Sequence, residues 1–169
     1  MTGLTQLNSL VRDEFTRVVG PVFEHSPWIA EAAWQKRPFA SVEALHLALC
    51  EIVLASNEEK QLSLILAHPD LVGRLALTGA LTKESTSEQA SAGLSLLMSE
   101  EISLFQSNNA AYKAKFGFPF VICARLNKKE AILNGFKLRL SHSREQEIQT
   151  ALAEIFKIAE LRLRDLTHA

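Results

Sequence analysis

The chain has 169 residues, of which 47% are hydrophobic, and its 18 Lys and Arg residues nearly balance its 19 Asp and Glu residues. This length and apolar content are sufficient for one hydrophobic core, so we expect a single domain over residues 1–169. The balanced charge excludes the strongly basic class of nucleic-acid-binding proteins and gives no reason to expect an anionic membrane surface as a partner.

The cysteines and the two ends of the sequence bear on where the protein works. Cys50 and Cys123 lie in apolar stretches without CxxC or zinc-type spacing, which predicts reduced, buried thiols and no structural metal. The N-terminal stretch lacks a basic segment followed by an apolar run, and no stretch approaches the roughly 20 apolar residues of a membrane span. Residues 167–169 do not form a peroxisomal address. We therefore expect a cytoplasmic protein without a membrane partner.

Helical periodicity dominates the chain and strand-like alternation is nearly absent, which predicts an all-α single-domain bundle of seven or eight helices. Asn8 or Ser9 can cap a first helix that runs to about Gly20. A second helix covers residues 26–35, with Pro27 near its first turn, and "RPF" at 37–39 interrupts it.

Two further helices follow in the first half. Ser41 opens an apolar helix that runs to about residue 56. The next helix begins at about Glu58 and ends at His68, because the residue before Pro69 is pushed out of the α region.

After His68, a loop-rich stretch and one segment of extended backbone interrupt the helical pattern. The loop-rich stretch contains Gly73, Gly79 and "TKESTS" at 82–87, and it should precede a long helix over 87–106 and a short one around 108–116. "GFPFVICAR" then predicts extended backbone over 117–124. Its peptide groups have no helix ladder, so they must pair elsewhere or face a ligand. Two helices, near 128–139 and 143–166, complete the chain.

His68 is the first candidate for chemistry. At a helix C-terminus the macrodipole favours the imidazolium form, and the turn at Pro69 aims the ring away from the packing of its own helix. The position therefore suits proton transfer, although a histidine that simply caps a helix end fits the same pattern. Asp70 is interpreted as a structural turn residue.

The segment "STSEQASAGL" offers two interpretations. Ser85 and Glu88 have the spacing of a capping box, in which each side chain bonds the backbone amide near the other. The amides of a helix start can equally hold an anion or a carbonyl oxygen, and the capping box does not account for Gln89. We interpret three small residues as sites of close helix packing: Ala90, Ala92 and Gly93.

The last helix places an arginine on an apolar stripe. The stripe residues are spaced 4, 3, 4, 3 and 4 apart and face the core: Ile148, Leu152, Ile155, Ala159, Arg162 and Leu166. Arg164 shares the polar face instead. A buried guanidinium needs a carboxylate, which can come from the protein or from a substrate.

Other functional classes have no support in the sequence. His46 lies within "ALHLALC" and is interpreted as a core histidine. No HExxH, phosphate-binding glycine loop, GxSxG or basic and aromatic stripe is present. We therefore expect no metal site and no nucleotide or nucleic-acid partner.

Six motifs, in this order and spacing, resemble the 2-oxo-4-hydroxy-4-carboxy-5-ureidoimidazoline (OHCU) decarboxylases, which act in the conversion of urate to allantoin. The resemblance covers nearly the whole chain. The motifs are "FEHSPW" at 23–28, "RPF" at 37–39, "HPDL" at 68–71, "STSEQASAGL" at 85–94, "FGFPFVICA" at 116–124 and "IAELRL" at 158–163.

The resemblance implies a cofactor-free carboxy-lyase with an all-helical fold, commonly a homodimer, that acts on a small ureidoimidazoline. It assigns His68 as the catalytic acid and base, with Glu88 as its partner. The residues implied to contact the substrate are Pro69, Ser85, Thr86, Ser87, Gln89, Arg162 and the backbone of Phe120, Val121, Ile122, Cys123 and Ala124.

Two rival functions make different predictions. A non-catalytic helical binding or scaffold module would use the extended segment as a partner groove and would tolerate loss of His68. A lyase of the same fold acting on a related ureido acid would need His68 but a different substrate. The resemblance favours the OHCU decarboxylase over both.

Overall fold

The structure is a computed structural model that describes residues 2–73 and 79–167. Within these residues the backbone forms nine α-helices and no β-strand, which confirms the predicted all-α class but exceeds the predicted seven or eight helices. The helices are α1 (Leu4–Ser9), α2 (Arg12–Val19), α3 (Trp28–Ala33), α4 (Val42–Ala55), α5 (Glu58–Leu66), α6 (Lys83–Ser91), α7 (Ser99–Phe116), α8 (Lys129–Arg139) and α9 (Arg144–Thr167). Short 3₁₀ turns cover Gly20–Val22, Trp34–Lys36 and Ala124–Leu126.

The chain folds into two compact units. One contains the described residues up to Ala67 together with those from Phe156 onward, and the other is His68–Ile155. We refer to them as the first and second units. The prediction of one domain over 1–169 stays a prediction.

The first unit contains α1 to α5 and the C-terminal half of α9. Helix α3 packs on α2 and α4, and α5 packs on α4. Local signals set the starts of these helices: the Ser41 side chain accepts a hydrogen bond from the Ala44 amide, and Pro27 occupies the N-cap of α3. The predicted starts at Ser41 and Pro27 are therefore confirmed.

The predicted first helix, running to about Gly20, is present as α2, but its predicted cap at Asn8 or Ser9 is wrong. These two residues end a preceding helix, α1, and Leu10 and Val11 separate α1 from α2. The Asn8 side chain accepts a hydrogen bond from the Phe39 amide and donates one to the Phe39 carbonyl. A tertiary contact therefore uses the amide that the sequence suggested as a cap.

The second unit contains α6, α7, α8 and the N-terminal half of α9. Its interior is aromatic: the Phe120 and Phe136 rings stack with centroids 3.9 Å apart, and Tyr112 meets Phe120 edge-on at 5.3 Å. Phe105 and Phe116 extend this cluster. The aromatic residues of the motif at 116–124 thus hold the extended segment against the helices.

The predictions for residues 82–106 need correction. Helix α6 begins at Lys83 inside the predicted loop, and Thr82 caps it by accepting a hydrogen bond from the Ser85 amide. The capping box of Ser85 and Glu88 is therefore wrong, because both residues already lie within the helix. A start at Thr82 places Ser85, Gln89 and Ala92 on one buried face.

The predicted helices over 87–106 and 108–116 have the wrong bounds: the helical backbone breaks at Gly93, and α7 then runs without interruption from Ser99 to Phe116. Gly93 has φ +80°, and the Gly93 and Leu94 amides donate to the Ala90 and Gln89 carbonyls, which is the hydrogen-bond pattern of a Schellman C-cap. A Cβ at Gly93 would meet nothing within 4 Å, and Ala90 is exposed. Of the three small residues, only the buried Ala92 fits the close-packing interpretation.

Residues 119–123 follow α7 as non-helical backbone, as the sequence predicts. Gly117 ends α7 in the left-handed region with φ +80°. The predicted helices near 128–139 and 143–166 match α8 and α9. Both cysteines are free and buried. Among the described helices, none is long and apolar enough to cross a membrane.

Candidate active site

All predicted site residues except Arg162 lie in the second unit. They come from three parts of the chain: the turn after α5, helix α6, and residues 120–124, which form the extended segment and its junction with the 3₁₀ turn that begins at Ala124.

His68 lies two residues beyond the end of α5, which finishes at Leu66 with Ala67 as its C-cap. Only 8% of His68 is exposed, so its ring is shielded from bulk water. A buried imidazole close to a helix C-terminus keeps the features that suit proton transfer. Pro69 is half-buried beside it.

The turn that follows His68 is held in a strained conformation. Val72 has φ +53°, which is unusual for a β-branched residue, and its amide donates to Gln89 Oε1 at 3.1 Å. A Cβ at Gly73 would lie 2.6 Å from Asp70 Cβ, so this position requires glycine. Strain of this kind persists only where the surroundings enforce it, and it concentrates at functional sites.

Two side chains of α7 fix the same turn. Lys113 Nζ lies 2.7 Å from Asp70 Oδ2, in agreement with the structural role predicted for Asp70. Asn109 Nδ2 donates to the Leu71 carbonyl at 2.8 Å. The turn after His68 is thus tied to both α6 and α7.

Helix α6 presents two kinds of predicted site residue. Ser85 and Gln89 are buried and Glu88 is half-buried, so these three share the inner face. Thr86 and Ser87 are exposed on the opposite side. The Gln89 amide is occupied by the turn, because its oxygen accepts from Val72. Its contact with a substrate stays a prediction.

The end of the extended segment lies against helix α6. Helix α6 packs against the 3₁₀ turn Ala124–Leu126 that ends the segment. Burial raises the pKa of the Cys123 thiol, and the carboxylates of Glu154 and Glu88 add to that rise. One site can therefore be formed by the His68 turn, Glu88 and the segment.

Hydrogen bonds hold the backbone of the segment on either side of Ile122 in the chain. Arg139 Nη1 donates to the Val121 carbonyl at 2.6 Å, and the Cys123 amide donates to Glu154 Oε2 at 2.8 Å. The Cys123 carbonyl accepts from Asn127 Nδ2. Within the described residues, no hydrogen bond involves the Ile122 backbone between them.

Arg162 belongs to the first unit. It is buried, and its Nη1 lies 2.8 Å from Glu24 Oε2 and 3.2 Å from the Pro21 carbonyl. Of the two carboxylate sources considered from the sequence, the structure shows the protein one. A contact between Arg162 and substrate stays a prediction. Arg164, as expected, is partly exposed and pairs with Glu160.

Arg139 and Glu154 were missed as candidate site residues. Both lie on helices that the sequence places correctly, but their partners are 18 and 31 residues away along the chain. An arginine among the hydrophobic residues of "AILNGFKLRL" was the available signal for Arg139. No comparable signal marked Glu154, because a glutamate on the polar face of a helix is common.

Among the described residues, no group of three His, Cys, Asp or Glu side chains lies close enough to hold a metal ion. At the candidate site the chain offers an imidazole at His68, a carboxylate at Glu88 and the backbone amides of the extended segment. These suit proton transfer to and from a bound organic molecule.

Comparisons with known proteins extend over nearly the whole chain. The family model of the OHCU decarboxylases matches residues 8–164. The 2-oxo-4-hydroxy-4-carboxy-5-ureidoimidazoline decarboxylase of Halalkalicoccus jeotgali is 42% identical over 169 residues, which covers 99% of this chain and 94% of the relative. The enzyme of the same name from Amia calva is 44% identical over 163 residues, or 96% of this chain and 93% of the relative.

A solved structure shows the same fold. The crystal structure of (S)-allantoin synthase superposes with a TM-score of 0.78 at 29% identity. The alignment covers 98% of this chain and 54% of that chain.

Proposed function

Because this chain belongs to the OHCU decarboxylase family and is a carboxy-lyase that converts the ureidoimidazoline to allantoin in urate degradation, we propose that His68 and Glu88 carry the proton transfers of that reaction. We further propose that the product is (S)-allantoin and that the enzyme works as a cytoplasmic homodimer without a cofactor.

The arrangement within the second unit supports this assignment best. Gln89 ties the turn after His68 to α6, and α6 packs against the end of the extended segment. A shielded imidazole, a half-buried carboxylate and the backbone at Ile122 are thereby gathered in one unit.

The chemistry of the substrate explains why these groups suffice. Its carboxylate is attached to a ring carbon that also bears a hydroxyl and adjoins a C=N bond. When the bond to the carboxylate breaks and CO₂ leaves, its electron pair forms a C=C bond, and the C=N electrons move to nitrogen, which takes up a proton. The hydroxyl then loses its proton to give the carbonyl, and the neighbouring carbon gains one.

The protein then has two tasks, to orient the bond that breaks and to move protons on one face of the ring. We assign the hydroxyl proton and the proton delivered to carbon to His68 and Glu88 acting together. Backbone groups of residues 120–124 and the inner face of α6 hold the polar groups of the ring and the ureido arm. Delivery from one face gives a single enantiomer.

The test replaces His68 with Asn. General acid and base assistance accounts for about 10²–10⁴ in rate, so His68→Asn should lower turnover by that factor with little change in the thermal midpoint. His46→Asn is the matched control. His46 Nε2 lies 2.9 Å from the Phe156 carbonyl in the first unit, so its loss should affect stability and leave turnover near the wild-type value.

The substrate is generated enzymatically in situ, and optical activity is followed with and without protein, since the uncatalysed decay is expected to give racemic allantoin. Rapid appearance of one enantiomer supports the proposal. Racemic product at the uncatalysed rate would favour the scaffold function, and normal turnover by His68→Asn would refute the role of the imidazole.

A further inference from the structure

We propose that helix α9 positions the extended segment for substrate through two carboxylates, Glu147 acting through Arg139, and Glu154 acting directly. Neither they nor Arg139 is assigned a contact with substrate, so all three are positioning residues. The inference rests on the proposed function, in which residues 120–124 hold the substrate.

Arg139 is the link between α9 and the Val121 carbonyl. It lies in the last turn of α8, only 5% exposed, and its Nη1 donates to Val121 at 2.6 Å. Its guanidinium also lies 4.2 Å from the centroid of the Phe120 ring, which is a cation–π contact. One side chain therefore holds both the backbone and the first ring of the segment.

Glu147 sets the orientation of Arg139. Glu147 is fully buried in the first turn of α9, and its Oε2 accepts from Arg139 Nε at 2.8 Å and from the Tyr112 hydroxyl. Its Oε1 lies 2.9 Å from His142 Nδ1. A planar guanidinium bonded at Nε and at Nη1 has little freedom to turn, so the position of Val121 follows that of Glu147.

Glu154 provides the second anchor. Its Oε2 accepts from the Cys123 amide at 2.8 Å. Glu147 and Glu154 are seven residues apart, which is two turns along one face of α9. The helix thus holds the residues on either side of Ile122, whose own backbone has no hydrogen-bond partner among the described residues.

Helix α8 also packs directly against the segment. A Cβ at Gly135 would lie 3.4 Å from Phe120 Cζ and 3.6 Å from Ile122 Cδ1, so the segment rests directly on this helix. The Phe120 ring stacks on Phe136. Ile122 is therefore fixed by its own packing on α8 and by the charged hydrogen bonds of its two neighbours, Val121 and Cys123.

If the anchors only stabilised the fold, losing one would affect activity no more than losing any other buried contact of similar stability. A positioning role makes a stronger demand, because a displacement of about 1 Å at a substrate-binding group can lower the rate about 100-fold. Losing an anchor should then impair catalysis and product binding out of proportion to the loss of stability.

The main experiment compares Glu154→Ala with Glu154→Gln. Glutamine keeps an oxygen that can accept from the Cys123 amide, whereas alanine removes the acceptor. We expect kcat/KM to fall about 10- to 100-fold in Glu154→Ala and to stay within about threefold of wild type in Glu154→Gln. The affinity for (S)-allantoin, measured by calorimetry, should follow the same order.

Arg139→Lys tests the other anchor. Lysine keeps the charge beside Glu147, but one ammonium cannot reproduce the fork that reaches both Glu147 and Val121. We expect at least about a tenfold loss of kcat/KM. Leu49→Ala, in the core of the first unit, is the stability control. It should lower the thermal midpoint as much as Arg139→Lys does, while leaving kcat/KM within about twofold of the wild-type value.

Amide hydrogen exchange over residues 120–124 gives a measurement independent of turnover. It should accelerate in Glu154→Ala and not in Glu154→Gln. If the two Glu154 variants match in kcat/KM, product affinity and exchange, the inference is overturned, whether or not Arg139→Lys folds. If wild type fails to decarboxylate the substrate, the proposed function falls instead, and exchange still reports whether Glu154 fixes the segment.

Discussion

Two buried arginines each meet a buried carboxylate. Arg139 pairs with Glu147 and Arg162 with Glu24, both at 2.8 Å. Taking two charges out of water costs nearly as much as their attraction returns, so such a pair adds little net stability. Removing one partner is a different matter, because it leaves the other charge buried alone.

The Arg162 pair makes this asymmetry measurable. Side-chain exposure is 6% for Arg162 and 2% for Glu24. Arg162→Met should therefore lower the free energy of unfolding by about 3–5 kcal/mol, and adding Glu24→Gln should restore much of it. Urea unfolding of both single variants and the double variant measures the coupling.

Arg12 and Glu31 form an exposed pair at 3.4 Å and serve as the control, where loss of one partner should cost about 1 kcal/mol or less. The double variant also tests the predicted substrate contact. If it is stable and fully active, Arg162 has no role beyond its pair with Glu24.

Cys50 shows how burial tunes a single thiol. Burial first and the Glu160 carboxylate second raise the pKa of Cys50 to about 12. Its sulfur lies 3.4 Å from His46 Nε2, but that nitrogen must carry a proton because it bonds the Phe156 carbonyl. His46 therefore cannot take the thiol proton.

This raised pKa predicts a pH dependence of stability. The folded state favours the neutral thiol, so the contribution is complete below the unfolded pKa of about 9 and disappears as the pH rises toward 12. The stability of wild type relative to Cys50→Ala should fall between pH 8 and 10.5, as measured by urea unfolding. A constant difference over this range would contradict the assignment.

At the scale of elements, Gly93 determines where α6 ends. Its φ of +80° is the left-handed conformation that an L side chain avoids, and a Cβ at this position would meet no neighbouring atom within 4 Å. The cost of a substitution therefore comes from the backbone conformation and not from crowding. Gly93→Ala should therefore cost about 1–2 kcal/mol, read as a lower urea midpoint. Gly93→Asn, which tolerates this conformation better, should cost less, and equal losses would indicate a packing role instead.

The elements that sequence predicts well are those whose signals are local. Ser41 caps α4 and Pro69 follows the end of α5 because a hydroxyl acceptor and a proline ring act on their immediate neighbours. The start of α6 was expected at Ser85 from its capping-box spacing, whereas the structure caps the helix at Thr82. The choice between these two starts depends on which one buries Ser85 and Gln89 together, and that is a tertiary property.

The candidate site divides in the same way. His68 and Glu88 could be proposed from motifs, because the residue types and their order carry the resemblance. The Arg139 and Glu154 anchors could not, since each contact joins segments that only the fold brings together. A single sequence contains the side chains of such contacts but not their pairing.

At the scale of the whole molecule, the family match over residues 8–164 crosses the boundary between the two compact units. Helix α9 contributes residues to both, with Glu147 and Glu154 in the second unit and Arg162 in the first. The features that define the family are therefore distributed over both units.

The proposed homodimer is a prediction at this scale. The formal net charge of −1 gives little long-range repulsion between copies, and the family resemblance implies a dimer. Sedimentation equilibrium should give about twice the chain mass of 18.7 kDa. The measurement belongs at pH 8 rather than near the isoelectric point of about 6.5, where low net charge promotes non-specific association. If dimerisation stabilises the folded chain, the thermal midpoint should rise with protein concentration. A mass of one chain at every concentration would rule the dimer out.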